Sequence, residues 1–295
     1  MALLLEQAKL YTTDTLQSGV IETIARESAV LEMLPFMEIS GNSYRYNLEK
    51  ALPTVAFRDV NNGYTASEGE IEYGQESLVI LGGDVDVDRF LVQTKGDINN
   101  IRAIQTQMKA KAVANTYTYT FFKGDAIENA KEFDGLDKRL AGTEQVLAPM
   151  NGDGKLEIID LNALLDAVEG GADVMYMSKK MRREIQKLFI GQSHYIQVGR
   201  DEFGRVVEMF GDVQIRTVSD QILTGTDIYA VKFGAMSHVA GLTNGGVNVR
   251  DLGELDSLPV FRTRIEFYCG LAVFNPKAVA KLEGAVFTQG GTATA

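Results

Sequence analysis

The reactive side chains of this sequence are few. It has two histidines, His194 and His238, and one cysteine, Cys269. A nucleophilic dyad needs a histidine that a third group positions beside a serine or cysteine. His194 lies in GQSHYIQV and His238 in GAMSHVAGL, each next to a strand-like run. Both read as structural or surface residues. HExxH, CxxC, GxSxG and Walker-type loops do not occur in the sequence. The glycine-rich GLTNGGVNV matches neither GxGxxG nor the GKS/GKT pattern and reads as a turn between strands. Neither enzymatic activity nor a cofactor is expected.

Two acidic patterns could bind a hard cation. Asp84, Asp86 and Asp88 alternate with Val85 and Val87, and period-two spacing puts the three carboxylates on one face of a strand. Such a row can ligate calcium or magnesium, but the wet face of a half-buried strand is the preferred reading. The second pattern is PMNGDGKLEIID, residues 149–160. It resembles the calcium loop of dockerin and EF-hand proteins at Asn151, Asp153, Gly154, Leu156 and Asp160. Pro149 stands where the first carboxylate ligand belongs, and Asp160 replaces the longer bidentate glutamate. Each departure weakens a calcium site. Asn-Gly-Asp-Gly is a turn signal in its own right, so no metal is expected, with a calcium-dependent binding module kept as an alternative.

These residues sit in ordinary globular material: 295 residues, 45% hydrophobic and 23% charged, with a net charge of −11. An acidic chain does not seek nucleic acid over its whole surface. No run of about 18 apolar residues could cross a membrane as a helix. The opening MALLLEQAKLYTTD lacks the basic flank and cleavage site of a signal peptide. A single cysteine allows no internal disulfide and fits a reducing compartment such as a bacterial cytoplasm.

The pattern predicts a helix over 14–34, capped by Thr13 or Asp14 and ended by Pro35. A long helix over 97–122 would carry its seam on Ile98, Ile101, Gln105, Met108 and Ala112. It would be about 39 Å long. Its end, TYTYTFF, has poor helix propensity, which predicts fraying or a switch to strand. Farther on the pattern is α/β. Asp160 caps a helix whose Leu161, Leu164, Leu165 and Val168 point inward, and 174–177 reads as a buried strand. Ser178 caps a helix with Met181, Ile185 and Leu188 on one face and Lys179, Lys180, Arg182, Arg183 and Lys187 on the other. That basic face reads as solvated or paired with acids on a neighbouring copy, ahead of a contact with DNA phosphates. Strands follow at 195–198, 205–210, 213–218, 227–233, 247–249 and 260–267.

Residues 38–83 form the most unusual stretch. Tyr44, Tyr46 and Leu48 alternate with Arg45, Asn47 and Glu49; later, Ile71 and Tyr73 alternate with Glu70 and Glu72. Between them lies RDVNNGYTASEG. This is a long hairpin with few core-forming residues. Arg45, Lys50 and Arg58 on the outgoing arm are expected to face Glu68, Glu70 and Glu72 on the return arm. An isolated two-stranded ribbon is marginal in water, so this one needs another surface, and these six residues are the expected subunit interface.

The runs FFKGDAIENAKEFDGLDKRLAG, LNALLDAVEGGADVMYMSKKMRREI, RDEFGRVVEMFGDVQI, TDIYAVKFG, VRDLGEL and PVFRTRIEFYCGLAVFNPKAVAKL resemble the major capsid proteins of tailed bacteriophages. These have the Hong Kong-type coat fold, shared with encapsulin shells. The resemblance spans nearly the whole chain and rests on the order of the blocks. It implies an α+β fold with an N-terminal arm (1–37), an extended β-hairpin loop (38–83) and a peripheral domain with a long spine helix (84–145). An axial domain (146–245) and strands returning to both domains (246–295) complete it. The implied function is a non-enzymatic shell subunit that assembles as hexamers and pentamers into an icosahedral virion capsid around double-stranded DNA. Assembly would take place in the host bacterial cytoplasm. The implied partners are further copies, a separate scaffolding protein, a portal protein and a decoration protein, with packaged DNA touched without sequence preference. An encapsulin-like nanocompartment is the alternative. Some family members cross-link through a lysine on the loop. Here residues 58–69 hold no lysine, so no cross-link is expected, although Glu266 stands where the family's catalytic glutamate falls.

Overall fold

The computed structural model describes residues 15–94, 98–189, 196–200, 206–223 and 225–286. His194 lies outside them. Among the described residues no helix is long and apolar enough to cross a membrane.

The first helix, α1, is Thr15–Glu27. It is shorter than predicted, because Val30, Leu31 and Leu34 are buried in turns that follow it. The short strand β1 (Phe36–Glu38) runs parallel to β11 (Val239–Glu254). Next comes the ribbon, β2 (Ser43–Ala51) and β3 (Glu70–Ser77). The chain then runs straight into β4 (Val79–Asp88), so residues 79–83, predicted to be ribbon, are sheet. A four-stranded sheet has the order β1-β11-β12-β4, where β12 is Val260–Val273. GLTNGGVNV is not a turn between strands. It is a bulge inside β11, where pairing with β12 shifts between Thr243 and Val247. Gly245 and Gly246 take φ of 78° and 69° there, which side chains rarely tolerate.

After the short helix α2 (Arg89–Thr94), α3 (Ile98–Lys123) has 26 residues and lies against this sheet. Its last turns neither fray nor become a strand. Tyr117, Phe121 and Phe122 are fully buried, so packing overrides the propensity of TYTYTFF. The predicted seam is also displaced. Met108 is exposed, and the buried stripe is Thr106, Ala110, Val113, Ala114, Tyr117 and Phe121. The i, i+4 rule found a helix here but chose the wrong face, because both faces carry apolar residues.

A second sheet has seven strands in the order β5-β13-β10-β6-β9-β8-β7. Its strands are β5 (Val146–Leu147), β6 (Val174–Ser178), β7 (Ile196–Arg200), β8 (Val206–Phe210), β9 (Val213–Val218), β10 (Ile228–Val231) and β13 (Val279–Leu282). Tyr176, Tyr229 and Val231 on one face join α1, α3 and the short α4 (Leu136–Leu140) in one core. Met175, Met177, Ile228 and Ala230 on the other face lie under α5 (Ile158–Asp166) and α6 (Lys179–Leu188). The central strand β6 is buried on both sides, as its unbroken apolar run requires. Ser178 caps α6 as expected, its Oγ accepting from the Met181 N–H at 3.1 Å.

Candidate assembly surfaces

The ribbon is anchored at its base and bare at its tip. At the base, Tyr44 and Tyr46 stack, and both meet the edge of Phe274. A Cβ at Gly74, opposite Tyr46, would lie 2.6 Å from that ring, so the tyrosine lies across the ribbon only because residue 74 is glycine. Arg139 grips Glu76 with two hydrogen bonds, Nη1 to Oε1 at 2.5 Å and Nη2 to Oε2 at 2.8 Å, and also donates to the Leu271 carbonyl. The Tyr46 hydroxyl donates to Glu76 Oε1 and to the Val273 carbonyl. Burial, reinforced by the Glu76 charge, pushes the Tyr46 phenol up to about 12. Sequence reasoning missed the Glu76–Arg139 clamp, because its partners are 63 residues apart.

Beyond Ala51 the arms no longer pair, and residues 52–69 have no strand structure. Leu52, Val55, Phe57, Val60 and Tyr64 project into solvent, Val55 at 94% and Phe57 at 108% relative exposure. The two arginines do not meet the glutamates predicted for them. Arg45 faces Gln75 and donates to its Oε1 at 2.9 Å. Glu72 faces Leu48, Glu70 faces Ala51, and Lys50 falls in the bulge between Glu49 and Ala51. Glu68 is exposed in the unpaired segment. Arg58 curls back, donating to the Asn62 carbonyl at 3.1 Å and lying 5.2 Å from the centre of the Tyr64 ring. The bulge sets Ala51 opposite Glu70, a one-residue shift that alternation in the sequence alone could not foresee.

The charge ladder the sequence implied for the ribbon is found one strand later. On the outer face of the four-stranded sheet, Asp84 opposes Arg264 and Asp86 opposes Arg262. Both pairs are bidentate, with bonds of 2.6–2.9 Å. The arginine hydrogen bonds hold both carboxyls below the usual aspartate range. Asp88 opposes Val260, and its Oδ1 accepts the Phe90 N–H at the start of α2. The row is a zipper of ion pairs with its acids taken. Glu266 lies farther along the same face, opposite Gly82.

The 149–160 turn is closed by its own residues. Asp160 is buried, with Oδ1 accepting the Met150 N–H at 2.9 Å and Oδ2 the Glu157 N–H at 2.8 Å. It is therefore a residue of the first turn of α5, which is capped by Glu157 and starts three residues earlier than predicted, and its oxygens serve the backbone. Among the described residues, no three His, Cys, Asp or Glu side chains converge to hold a metal. His238 is half-buried and joins the chain by backbone bonds to Gly234 and Phe274. Burial raises the Cys269 thiol above its usual range, which leaves it a poor nucleophile.

Residues 12–154 match the family model described as Major capsid protein GP7. No curated protein sequence matches the chain. Among solved structures, the SrpI encapsulin of Synechococcus elongatus is similar at a TM-score of 0.69 and 18% identity, over 90% of both chains. A chain from Microbacterium phage Oxtober96 is similar at 0.62 and 15%, over 87% of this chain and 90% of that one. The capsid of Cyanophage A-1(L) gives 0.62 and 14%, over 85% and 90%. The chain has the Hong Kong-type fold of phage capsids and encapsulin shells.

Helices α3 and α4 are tied to the seven-stranded sheet by a network of opposite charges. Lys123, at the end of α3, pairs with Asp137 of α4 and, at 3.1 Å, with Asp227 beside β10. Lys281 of β13 reaches the same two carboxylates at 3.1 and 3.5 Å. The Tyr229 hydroxyl donates to Asp137 at 2.6 Å. Burial would raise the Asp137 carboxyl, but the hydrogen bonds from Lys123 and Tyr229 outweigh it and hold the group below its usual range. Lys281 also pairs with Glu283 at 2.8 Å, so each of these partly buried ions has an opposite charge beside it.

Proposed function

We propose that this chain is a capsid coat protein, that it forms hexamers and pentamers which close into an icosahedral virion shell around double-stranded DNA, and that the ribbon is its principal contact between copies. The observation that carries this is the exposed tip, where five large apolar side chains stand on a segment with neither strand pairing nor core beneath it. Such a surface is costly in water unless a partner covers it. A closed shell supplies that partner by repeating one contact many times. In this reading residues 1–37 are the arm, 38–83 the extended loop, 84–145 the peripheral domain, 146–245 the axial domain and 246–295 the returning strands. Arg45, Lys50, Arg58, Glu68, Glu70 and Glu72 act at the contact between copies. A separate scaffolding protein guides assembly in the bacterial cytoplasm, with portal and decoration proteins as further partners. DNA is held without sequence preference, and the protein does no chemistry.

The Arg58→Glu substitution tests this. The tip touches little of its own subunit, so melting temperature and circular dichroism should be unchanged, while electron microscopy should find few or no shells. Exposed charges are each worth under about 1 kcal/mol, so the loss becomes visible only when repeated over many copies. Normal shells, or a subunit that does not fold, would remove the ribbon from this role. The encapsulin-like alternative is favoured by the similarity to the SrpI encapsulin. It predicts purified particles that contain a protein cargo and no DNA.

A further inference from the structure

The helix layer on the outer face of the seven-stranded sheet is electrically divided. Helix α5 lies on β13, toward one edge of the sheet. Helix α6 lies on β6 and β9, and its Arg182 and Gln186 reach Glu208 of β8, toward the other edge. At strand spacings of about 4.8 Å the two helices sit roughly 10–14 Å apart.

Each helix buries one stripe and exposes another. In α6 the buried stripe is Met181 and Ile185, and the exposed one is Lys180, Arg183 and Lys187, joined by Lys179 at the helix start. Arg182 and Lys187 have intramolecular partners, Glu208 at 4.0 Å and Glu184 at 2.6 Å. Lys179, Lys180 and Arg183 have no ion-pair partner among the described residues. In α5 the buried stripe is Leu161 and Leu164. The exposed one is Ile159, Asn162 and Asp166, extended by Glu157 and by Asp153 in the preceding turn. Lys155 is the cation on that edge, 3.7 Å from Asp153. Both stripes repeat at i, i+3 and i+7, so they have the same length and pitch. Ile159 stands exposed at 55% within the acidic one.

We propose that the basic stripe of α6 docks on the acidic stripe of α5 in the next copy of this chain. Complementarity points to this occupant: cations on α6 without ion-pair partners among the described residues, the exposed carboxylates Asp153, Glu157 and Asp166 along α5, and positions toward opposite edges of one layer. Contacts between two different patches are head-to-tail, and repeated by rotation they close into rings. Like charges on the same helix would instead repel a copy that approached in the symmetric, face-to-face manner. The inference rests on the shell reading above and names the contact that would build its rings.

The test uses the full chain and a pair of opposite charge reversals. Lys180→Glu with Arg183→Glu should raise the protein concentration at which shells first appear by at least about tenfold at low salt. Adding Asp153→Lys and Asp166→Lys to the same chain should restore assembly, because the contact is then rebuilt with its charges exchanged. Circular dichroism and melting report whether each variant folds. Should the reversal unfold the subunit, Lys180→Ala with Arg183→Ala replaces it and should shift the threshold in the same direction. A wild type that never assembles overturns the shell reading itself. A wild type that assembles, with reversed chains assembling at the same concentration, overturns only this contact. So does failure of the exchanged chain to recover. If the reversed chains form normal shells but retain less DNA, the stripe is a phosphate-binding surface and the proposal is wrong.

Discussion

The ribbon and the β4–β12 pair are both antiparallel, both carry rows of charge, and follow one another in the chain, yet their structures differ. Under β4–β12 lie Val85, Val87, Ile265 and Phe267, all buried. That floor fixes the register, so Asp84 and Asp86 meet Arg264 and Arg262 squarely. The ribbon has a floor only at its base, where Tyr44 and Tyr46 reach Phe274. Beyond it a bulge intrudes, the arms separate, and Arg58 folds back on its own turn. Charge alternation does not set pairing by itself. Burial of the opposite face does, because a one-residue slip there would expose a core residue.

The sharpest way to break this comparison is to remove the floor. Phe267→Ala deletes a fully buried ring in contact with Phe36 and Tyr117. It should destabilise the subunit by about 3–5 kcal/mol. Denaturant unfolding measures this, and a loss below 1 kcal/mol would show that the sheet does not depend on its floor. Next in size is the ribbon's anchor. Arg139→Ala leaves Glu76 half-buried without its bidentate partner and should cost roughly 2–4 kcal/mol. It should also free the base of the ribbon, read as a new protease cut between residues 43 and 77. Unchanged proteolysis would place the anchor elsewhere.

A smaller effect is expected in acid. The folded-state Asp137 carboxyl lies below its ordinary 3.8. Its contribution is therefore complete above that value and lost as pH falls through the depressed one. Melting temperature should decline more steeply below pH 3.8 in the wild type than in Asp137→Asn. Equal slopes would take Asp137 out of the acid response. The smallest effect belongs to Asp86→Asn, on the solvent face of the ladder. The Tm should move by no more than about 1 °C. A larger drop would mean that the ladder, and not its floor, holds the strands together.

The sequence by itself determined much of this protein. Alternation placed Asp84 and Asp86 on one face, the cap at Ser178 started its helix, and the unbroken apolar run at β6 announced a strand buried on both sides. The ribbon was legible as a hairpin that could not bury itself, and the order of the blocks pointed to the coat fold. Each of these follows from local periodicity or turn chemistry, which neighbours in the chain set among themselves. Tertiary structure alone decided the rest. It chose which face of α3 is buried, kept TYTYTFF helical by enclosing Tyr117, Phe121 and Phe122, and turned GLTNGGVNV into a bulge by pairing it with β12. It also brought Arg139 to Glu76, and Lys123 and Lys281 to Asp137 and Asp227. Those contacts join residues far apart in the chain. Their energies come from desolvation and close packing, which no local pattern encodes.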